Sequence, residues 1–421
     1  MRSLVVRERD RLELEDPDAR LTEAEAETLS RLPLPPGAVT WERRAIQLGP
    51  FCGVLRVHDL TIEVLPKIRG VADGEDRGIL IAMLRAAGHL PATLPNATGL
   101  EHQEQHLLDV FVLDFCAAVS ALLSRGAIRS YEVHEDRLSA LRGRLHLPEQ
   151  LRRGLLDRTQ LHCRYDELTA DNAHNRALKA VLAALLGHAR GSRAKAAVNV
   201  LLLCLDEVSV RPCRVADLEQ LRFDRLTARW EPLFQRAIQL MRGLYPDVRA
   251  GQTVDGSCLL FDMQRLFEAF VGEHLRRAYH GRSERVVLQG PQRHLATGDR
   301  GKAFRMRPDM AVVSPDGQVE RILDAKWKAL DLTQAKAGVS QDDAYQMAAY
   351  ASSYGCRRLA LLYPSGDGLP AGRVDSFTLR VSGEPQVDIY ALDIAALVGG
   401  QPLQADLTTS SSNPGLDREA A

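Results

Sequence analysis

Through residues 1 to about 70, apolar positions alternate with polar ones or run together in short blocks, as in "AIQLG" and then "CGVLRVHDLTIEVLPKI", ending near Pro66. A period of two predicts strands, so residues 1–75 read as a small β-rich module. From "RGILIAMLRAAGHL" at 77–90 the spacing becomes helical, and it stays so through "HLLDVFVLDFCAAVSALLSRG" at 106–126, where Gly126 suits a helix C-terminus. Residues 76–250 are expected to be mainly helical, with long helices at about 171–207 and 224–244. Within them, "AIRSYEVHEDRLSALRGRLHLPEQLRRG" breaks the helical period and predicts a strand pair or an extended arm, about 127–165.

A polar stretch, "DVRAGQTVDGS" at 247–257, marks a boundary. Beyond it the order is legible: a helix over "FDMQRLFEAFVGEHLRRAYH", strands over "ERVVLQ", "FRMRPDMAVV" and "VERILDAKW", a helix over "QDDAYQMAAYASSY", a strand over "RRLALLYP", and strands near 374–381 and 386–392. That layout predicts an α/β domain over 257–398. Residues 400–421 have too little apolar content to build a core and read as a disordered tail. The fold class expected is multidomain α+β.

Composition narrows the picture. No stretch approaches the roughly 18 apolar residues of a membrane helix, and the charged start "MRSLVVRERDRLELED" does not resemble a signal peptide, so a cytoplasmic protein is expected. Seven scattered cysteines without a C-x-x-C pair argue for reduced thiols and against zinc. A net charge of −1 leaves any DNA contact to local patches or a bound metal. Of the 54 Lys and Arg residues only seven are lysine, so a retained lysine such as Lys326 stands out as a compact, deprotonatable ammonium.

Lys326 lies in "RILDAKWK". The turn "SPDG" at 314–317 folds the two preceding strands into a hairpin, which sets Asp309 opposite a residue near 324. Directly opposed residues hold their Cβ atoms about 4.5–5.5 Å apart, and Lys326 follows Asp324 onto the same face by the strand period. Two crowded carboxylates repel unless a hard cation neutralises them, and Mg²⁺ favours such oxygen ligands. "PD" recurs elsewhere in the chain, but an acid two residues before a lysine occurs only at 324 and 326.

Pro308-Asp309 followed by Asp324-Ala325-Lys326 resembles the PD-(D/E)xK nuclease superfamily, and Gln346 with Tyr350 resembles the Q-x-x-x-Y helix of its RecB-like and Cas4-like members. The resemblance implies phosphodiester hydrolysis. Asp309, Asp324 and the Ala325 carbonyl would hold Mg²⁺, with Mn²⁺ as a substitute, and Lys326 would orient or deprotonate the attacking water. Glu268 is a candidate ligand through water, with pairing to Arg265 as the plainer reading. Lys328, Gln346 and Tyr350 are candidates for positioning DNA.

"GDRGKAF" at 298–304 lacks the spacing and the Ser or Thr of a phosphate loop, so no nucleotide site is expected in this chain. Across residues 45–395, "FCGVLRVHDLTIEVLPKIRG", "MLRAAGHLP", "ALRGRL", "CRYDELTADNAHNRALK", "LFEAFV", "RPDM", "ILDAKWK" and "DAYQMAAYA" resemble, in order, the McrC family of nuclease subunits from McrBC-type modification-dependent restriction systems. The resemblance implies a hexameric AAA+ partner of the McrB type, a GTPase or ATPase that McrC stimulates and that reads methylcytosine through its own appended domain. Arg142 and Arg144, in the arginine-rich arm, are the candidates for contact with that motor. The rival readings are a non-catalytic activating plug that keeps the nuclease fold as a DNA clamp, and a stand-alone repair nuclease, which the roughly 250 residues preceding the last domain disfavour.

Overall fold

In a computed structural model of the chain, residues 2–14, 21–68, 74–90, 106–152, 159–244, 256–330, 332–366 and 369–408 are described. They fall into two compact units, Met1–Glu104 with Leu260–Ala421, and Gln105–Leu259. Among the described residues no helix is long and apolar enough to cross a membrane.

The chain opens with β1 (Arg2–Arg7), β2 (Arg11–Glu13), α1 (Glu23–Ser30), β3 (Val39–Trp41), β4 (Ala45–Leu48), β5 (Phe51–Val57), β6 (Leu60–Leu65) and α2 (Glu75–Ala86). Thr22 caps α1 in a reciprocal arrangement with Glu25. Every residue of β6 is buried, Glu63 included. That carboxylate is neutralised by Arg77 of α2, with contacts of 2.8 and 3.0 Å. Strand β1 runs parallel to β6, and β5 pairs with β6 as a hairpin.

The second unit contains α3 (Leu107–Leu123), β7 (Ser130–Leu138), β8 (Arg144–Leu145), α4 (Leu147–Arg152), β9 (Leu161–Thr169), α5 (Ala173–His188), α6 (Ser192–Cys204), α7 (Val215–Glu219) and α8 (Glu231–Leu244). Gly191 separates α5 from α6, and Asp109 accepts hydrogen bonds of 2.8 Å from the backbone N–H groups of Arg190 and Gly191 at that break. The period change at 127–165 corresponds to a three-stranded sheet ordered β7-β9-β8. It is paired from Ser130 opposite Thr169 to Leu138 opposite Leu161.

Strand β10 (Gly256–Asp262) leads back into the first unit, where the chain continues as α9 (Met263–Ala278), β11 (Arg285–Leu288), β12 (Arg293–Gly298), β13 (Gly301–Met306), β14 (Met310–Val313), β15 (Val319–Ala325), α10 (Gln341–Tyr354), β16 (Arg358–Pro364), β17 (Gly372–Thr378), β18 (Gln386–Leu392), α11 (Ile394–Val398) and α12 (Ala405–Thr408). A six-stranded mixed sheet, β11-β14-β15-β16-β18-β17, forms its centre. Strand β15 is antiparallel to β14 and parallel to β16. Met347, Tyr350, Ala351 and Tyr354 of α10 pack on Ile322, Leu359, Leu361 and Ile389 of the sheet.

Three expectations need correction. The β-rich start and the α/β domain are not separate bodies: both belong to one unit, as does the helix at 75–86 that the hydrophobic spacing assigned to the middle region. The reason is non-local, since Glu63 and Arg77 pair there and α2 packs against α9. The strand expected over 304–313 is broken at Arg307–Asp309. Pro308 lacks the N–H that a continuous ladder needs, and the chain before it turns off into a separate β12–β13 ribbon. Finally, the segment from 400 packs as far as Thr408: Leu403 and Leu407 are buried, and the Leu407 carbonyl accepts from Arg321 Nη1 at 2.6 Å. The rest of the expected tail, 409–421, lies outside the described residues.

Candidate active site

Asp324 stands near the carboxyl end of β15, where an α/β sheet commonly opens to ligands. Ile322 faces α10 in the core, so Asp324 takes the same face two residues on. Asp309 lies in the bend before β14. Met310 pairs with Leu323, so the same register carries Asp309 opposite Asp324. The bend is fixed at both ends. The Asp309 carbonyl accepts from Gln289 N at 2.7 Å, and its Oδ2 accepts from Ala325 N at 3.0 Å.

Asp324 is 1% exposed. Neither of its carboxylate oxygens receives an aligned hydrogen bond. Its charge partner is the Lys326 ammonium, 2.7 Å from Oδ2. Burial, then Asp324 and Glu268, push the Asp309 carboxyl up to about 8. Burial also raises Asp324 against the pull of Lys326, and raises Glu268, whose carboxyl shares a hydrogen bond with Asp309. Three acids are thus held where protons, or a cation in their place, are needed.

Lys326 is gripped from three sides. Besides Asp324, its Nζ lies 2.9 Å from Gln346 Oε1 and 3.4 Å from Asp343 Oδ1. Burial pulls its pKa down, but Asp324, Asp343 and Asp309 outweigh that and leave it raised. The deprotonatable lysine expected from the Arg-rich composition is therefore a firmly charged ammonium while its carboxylate neighbours are ionised.

Helix α10 joins the two halves of the site. Gln346 Nε2 donates to the Tyr350 hydroxyl at 3.0 Å, and that hydroxyl donates to the Arg307 carbonyl at 3.3 Å. The Q-x-x-x-Y pair thereby connects Lys326 to the bend that carries Asp309. Lys328 is not on a continuing strand, because β15 ends at Ala325. Its ammonium lies 2.5 Å from Asp343 Oδ2. The Ala325 carbonyl accepts from Gln264 Nε2 at 2.5 Å, leaving one lone pair, while Gln264 Oε1 accepts from Trp327 N at 2.8 Å. Arg265 is drawn to Asp262, at 4.0 Å, rather than to Glu268. Arg142 and Arg144 lie in the other unit, both exposed; Arg142 pairs with Glu167 at 3.1 Å and lies 4.0 Å from the centroid of the Tyr165 ring.

Sequence reasoning missed Asp343, Gln264 and Glu8. Asp343 had a signal: it sits three residues before Gln346, one helical turn away, and three after Ser340, whose hydroxyl caps the helix. Gln264 had none. Glu8 acts at long range, accepting from Trp327 Nε1 at 2.6 Å, one residue beyond Lys326.

Among the described residues no three His, Cys, Asp or Glu side chains form a ready-made metal cage. The donor set nevertheless suits a hard divalent cation: Asp324 is a buried carboxylate whose charge is met only by the Lys326 ammonium at Oδ2, Asp309 stands beside it, and Glu268 adjoins Asp309.

The model of the McrBC 5-methylcytosine restriction system component family matches residues 46–364. No curated protein matches the chain. Among solved structures, a chain of the half-complex from a tetradecameric assembly of Thermococcus gammatolerans McrB AAA+ hexamers with bound McrC is similar over 97% of this chain and 98% of that one, at 19% identity and a TM-score of 0.71. A chain of the Thermococcus gammatolerans McrBC complex is similar over 66% of this chain and 88% of that one, at 20% identity and a TM-score of 0.50. At such identities the structural likeness speaks for the fold, and the family assignment rests on the sequence match: the chain belongs to the McrBC 5-methylcytosine restriction system component family.

Proposed function

We propose that this chain is the metal-dependent endonuclease subunit of an McrBC-like restriction complex, hydrolysing DNA phosphodiesters and stimulating a partner AAA+ motor. The observation that carries the reading is the convergence of Asp309, Asp324 and Lys326 at one end of a sheet, with Ala325 N bonded to Asp309 and Lys326 Nζ 2.7 Å from Asp324. The partner is inferred from the Thermococcus assemblies, which contain McrB AAA+ hexamers with bound McrC.

Asp309 and Asp324 would hold Mg²⁺ or Mn²⁺, with Glu268 reaching it through water and the Ala325 carbonyl contributing its remaining lone pair. Bound there, the ion supplies Lewis-acid stabilisation of charge on the phosphate. The chain's own groups do the positioning. Lys326, held by Gln346 and Asp343, directs its ammonium towards the attacking water or the phosphate oxygen. Neutralising Asp309 and Asp324 removes much of what raises the Lys326 pKa, while its burial remains, so the ammonium becomes a better proton donor and the amine accessible as a base. Gln346, Tyr350 and Lys328 act through this framework.

The test is to copurify the chain with its neighbouring AAA+ protein and assay cleavage of methylated and unmethylated DNA with Mg²⁺ and with GTP or ATP. Cleavage that disappears in Lys326→Ala supports the reading. Undiminished cleavage in that variant, or motor stimulation without cleavage by any preparation, would replace it with the activating-plug alternative.

A further inference from the structure

The β12–β13 ribbon is a two-stranded sheet of its own with no part in the central sheet. Its two strands pair from Arg293 opposite Met306 to Gly298 opposite Gly301. All six residues of β12 are exposed, as are Gly301, Lys302, Phe304 and Arg305 of β13.

The base of the ribbon is fastened to α10. Arg293 Nη1 donates to the Ser353 carbonyl at 2.5 Å and its guanidinium lies 4.9 Å from the centroid of the Tyr354 ring. The Tyr354 hydroxyl donates to the carbonyls of Pro291 and Met306. The rest of the ribbon is largely exposed. Arg300, Lys302 and Arg305 have no ion-pair partner among the described residues, and Asp299 is the one acid in 293–305. In a chain of net charge −1 this is a local concentration of positive charge. Beside the cations, Phe304 is 72% exposed and Leu295 51%, and the register sets Leu295 across from Phe304.

We propose that this ribbon is a DNA-gripping element that enters a groove of the duplex next to the phosphate to be cut. The ribbon is of the right form, since the major groove admits a two-stranded β-ribbon, and strands of this length reach about 20 Å. Its cations complement phosphate. Its placement is covalent: Arg305 precedes Asp309 by four residues, and the intervening Arg307 carbonyl is held by Tyr350. Phe304 and Leu295 form an exposed apolar pair partway along the ribbon, suited to contact with base edges or sugars.

This inference rests on the nuclease reading, and its test is chosen to separate the two. Binding of the full-length chain to a short labelled duplex is measured by fluorescence anisotropy in EDTA, where cutting is suppressed. The triple variant Arg300→Glu, Lys302→Glu, Arg305→Glu is compared with a matched reversal of the exposed Arg211, Arg214 and Arg222 in the other unit. The ribbon variant should weaken binding roughly tenfold or more and lower the slope of log affinity against log salt by about 2–3, one unit for each lost phosphate contact. The matched variant should not. A Gln version of the ribbon variant, with an unchanged melting curve, separates this loss from misfolding. Wild-type affinity in the ribbon variants, or an equal loss in both charge reversals, overturns the proposal. So does intact DNA binding with lost motor stimulation, which would make the ribbon a protein contact. If the ribbon variant alone loses DNA while the wild type never cuts, the ribbon assignment stands and only the nuclease reading falls.

Discussion

Two oppositely charged pairs, each joining a strand acid to a cation just off the sheet, illustrate what burial does to the same chemistry. Beside β9, Arg142 of the β7–β8 connection meets Glu167 at 3.1 Å with about half of each side chain in solvent (51% and 43%). Beside the central sheet, Lys326 meets Asp324 at 2.7 Å with 19% and 2% exposed. The first pair is screened by water and salt, with the Tyr165 ring beside Arg142 as its further contact. The second is crowded by Asp309, Asp343 and Glu268, so its charges cannot be altered one at a time. A buried, over-determined group of acids of this kind is the candidate place for protons to be exchanged for a cation.

The strongest break of that contrast is Lys326→Ala, which should lower cleavage about a thousandfold or more in single-turnover assays, whereas Arg142→Ala should leave the melting temperature unchanged. Next, saturating Mg²⁺ should raise the melting temperature of the wild type, by ~2–3 kcal/mol of stabilisation at about 100 times the dissociation constant. It should leave Asp309→Asn unmoved in differential scanning fluorimetry. Asp343→Asn removes the carboxylate shared by Lys326 and Lys328 and should cost about 10–100-fold in rate, with a shifted pH–rate profile because Lys326 loses a charge that raises its pKa. The smallest effect is at Glu8, a buried acid whose Oε2 has no partner and whose pKa is raised chiefly by burial. A raised carboxyl pKa contributes stability below the unfolded value of 4.5, lost as pH rises through the folded value. Glu8→Gln should therefore melt a few degrees higher than wild type at neutral pH, an advantage that disappears below about pH 4.5.

What was legible in the sequence was local. The helix read over 341–354 is the helix found, with the Ser340 hydroxyl capping its start and Gly355, in the left-handed region, ending it. The "SPDG" turn, with Gly317 at φ 85°, placed the hairpin, and a one-residue bulge between the Val313–Val319 and Val312–Arg321 pairs completes the register that brings Asp309 and Asp324 together. What was not legible depended on distant chain. Pro308 could be read as compatible with a strand end or a break, and only the separate pairing of β12 with β13 decides it. Lys328 fitted the strand period, but the ladder stops at Ala325 and Asp343 captures it. Leu403 and Leu407 lie in a stretch too polar to fold alone, yet they are buried by a core built elsewhere.

The chain leaves the first unit after Glu104 and re-enters it at Leu260, which bears on any attempt to isolate the half that carries the candidate site. A fragment begun near residue 257 would strip Trp327 of its Glu8 acceptor and α9 of the α2 surface it packs on. The natural excision runs the other way: remove the central insert, splice the flanks with a flexible linker, or supply residues 1–104 in trans and look for fragment complementation.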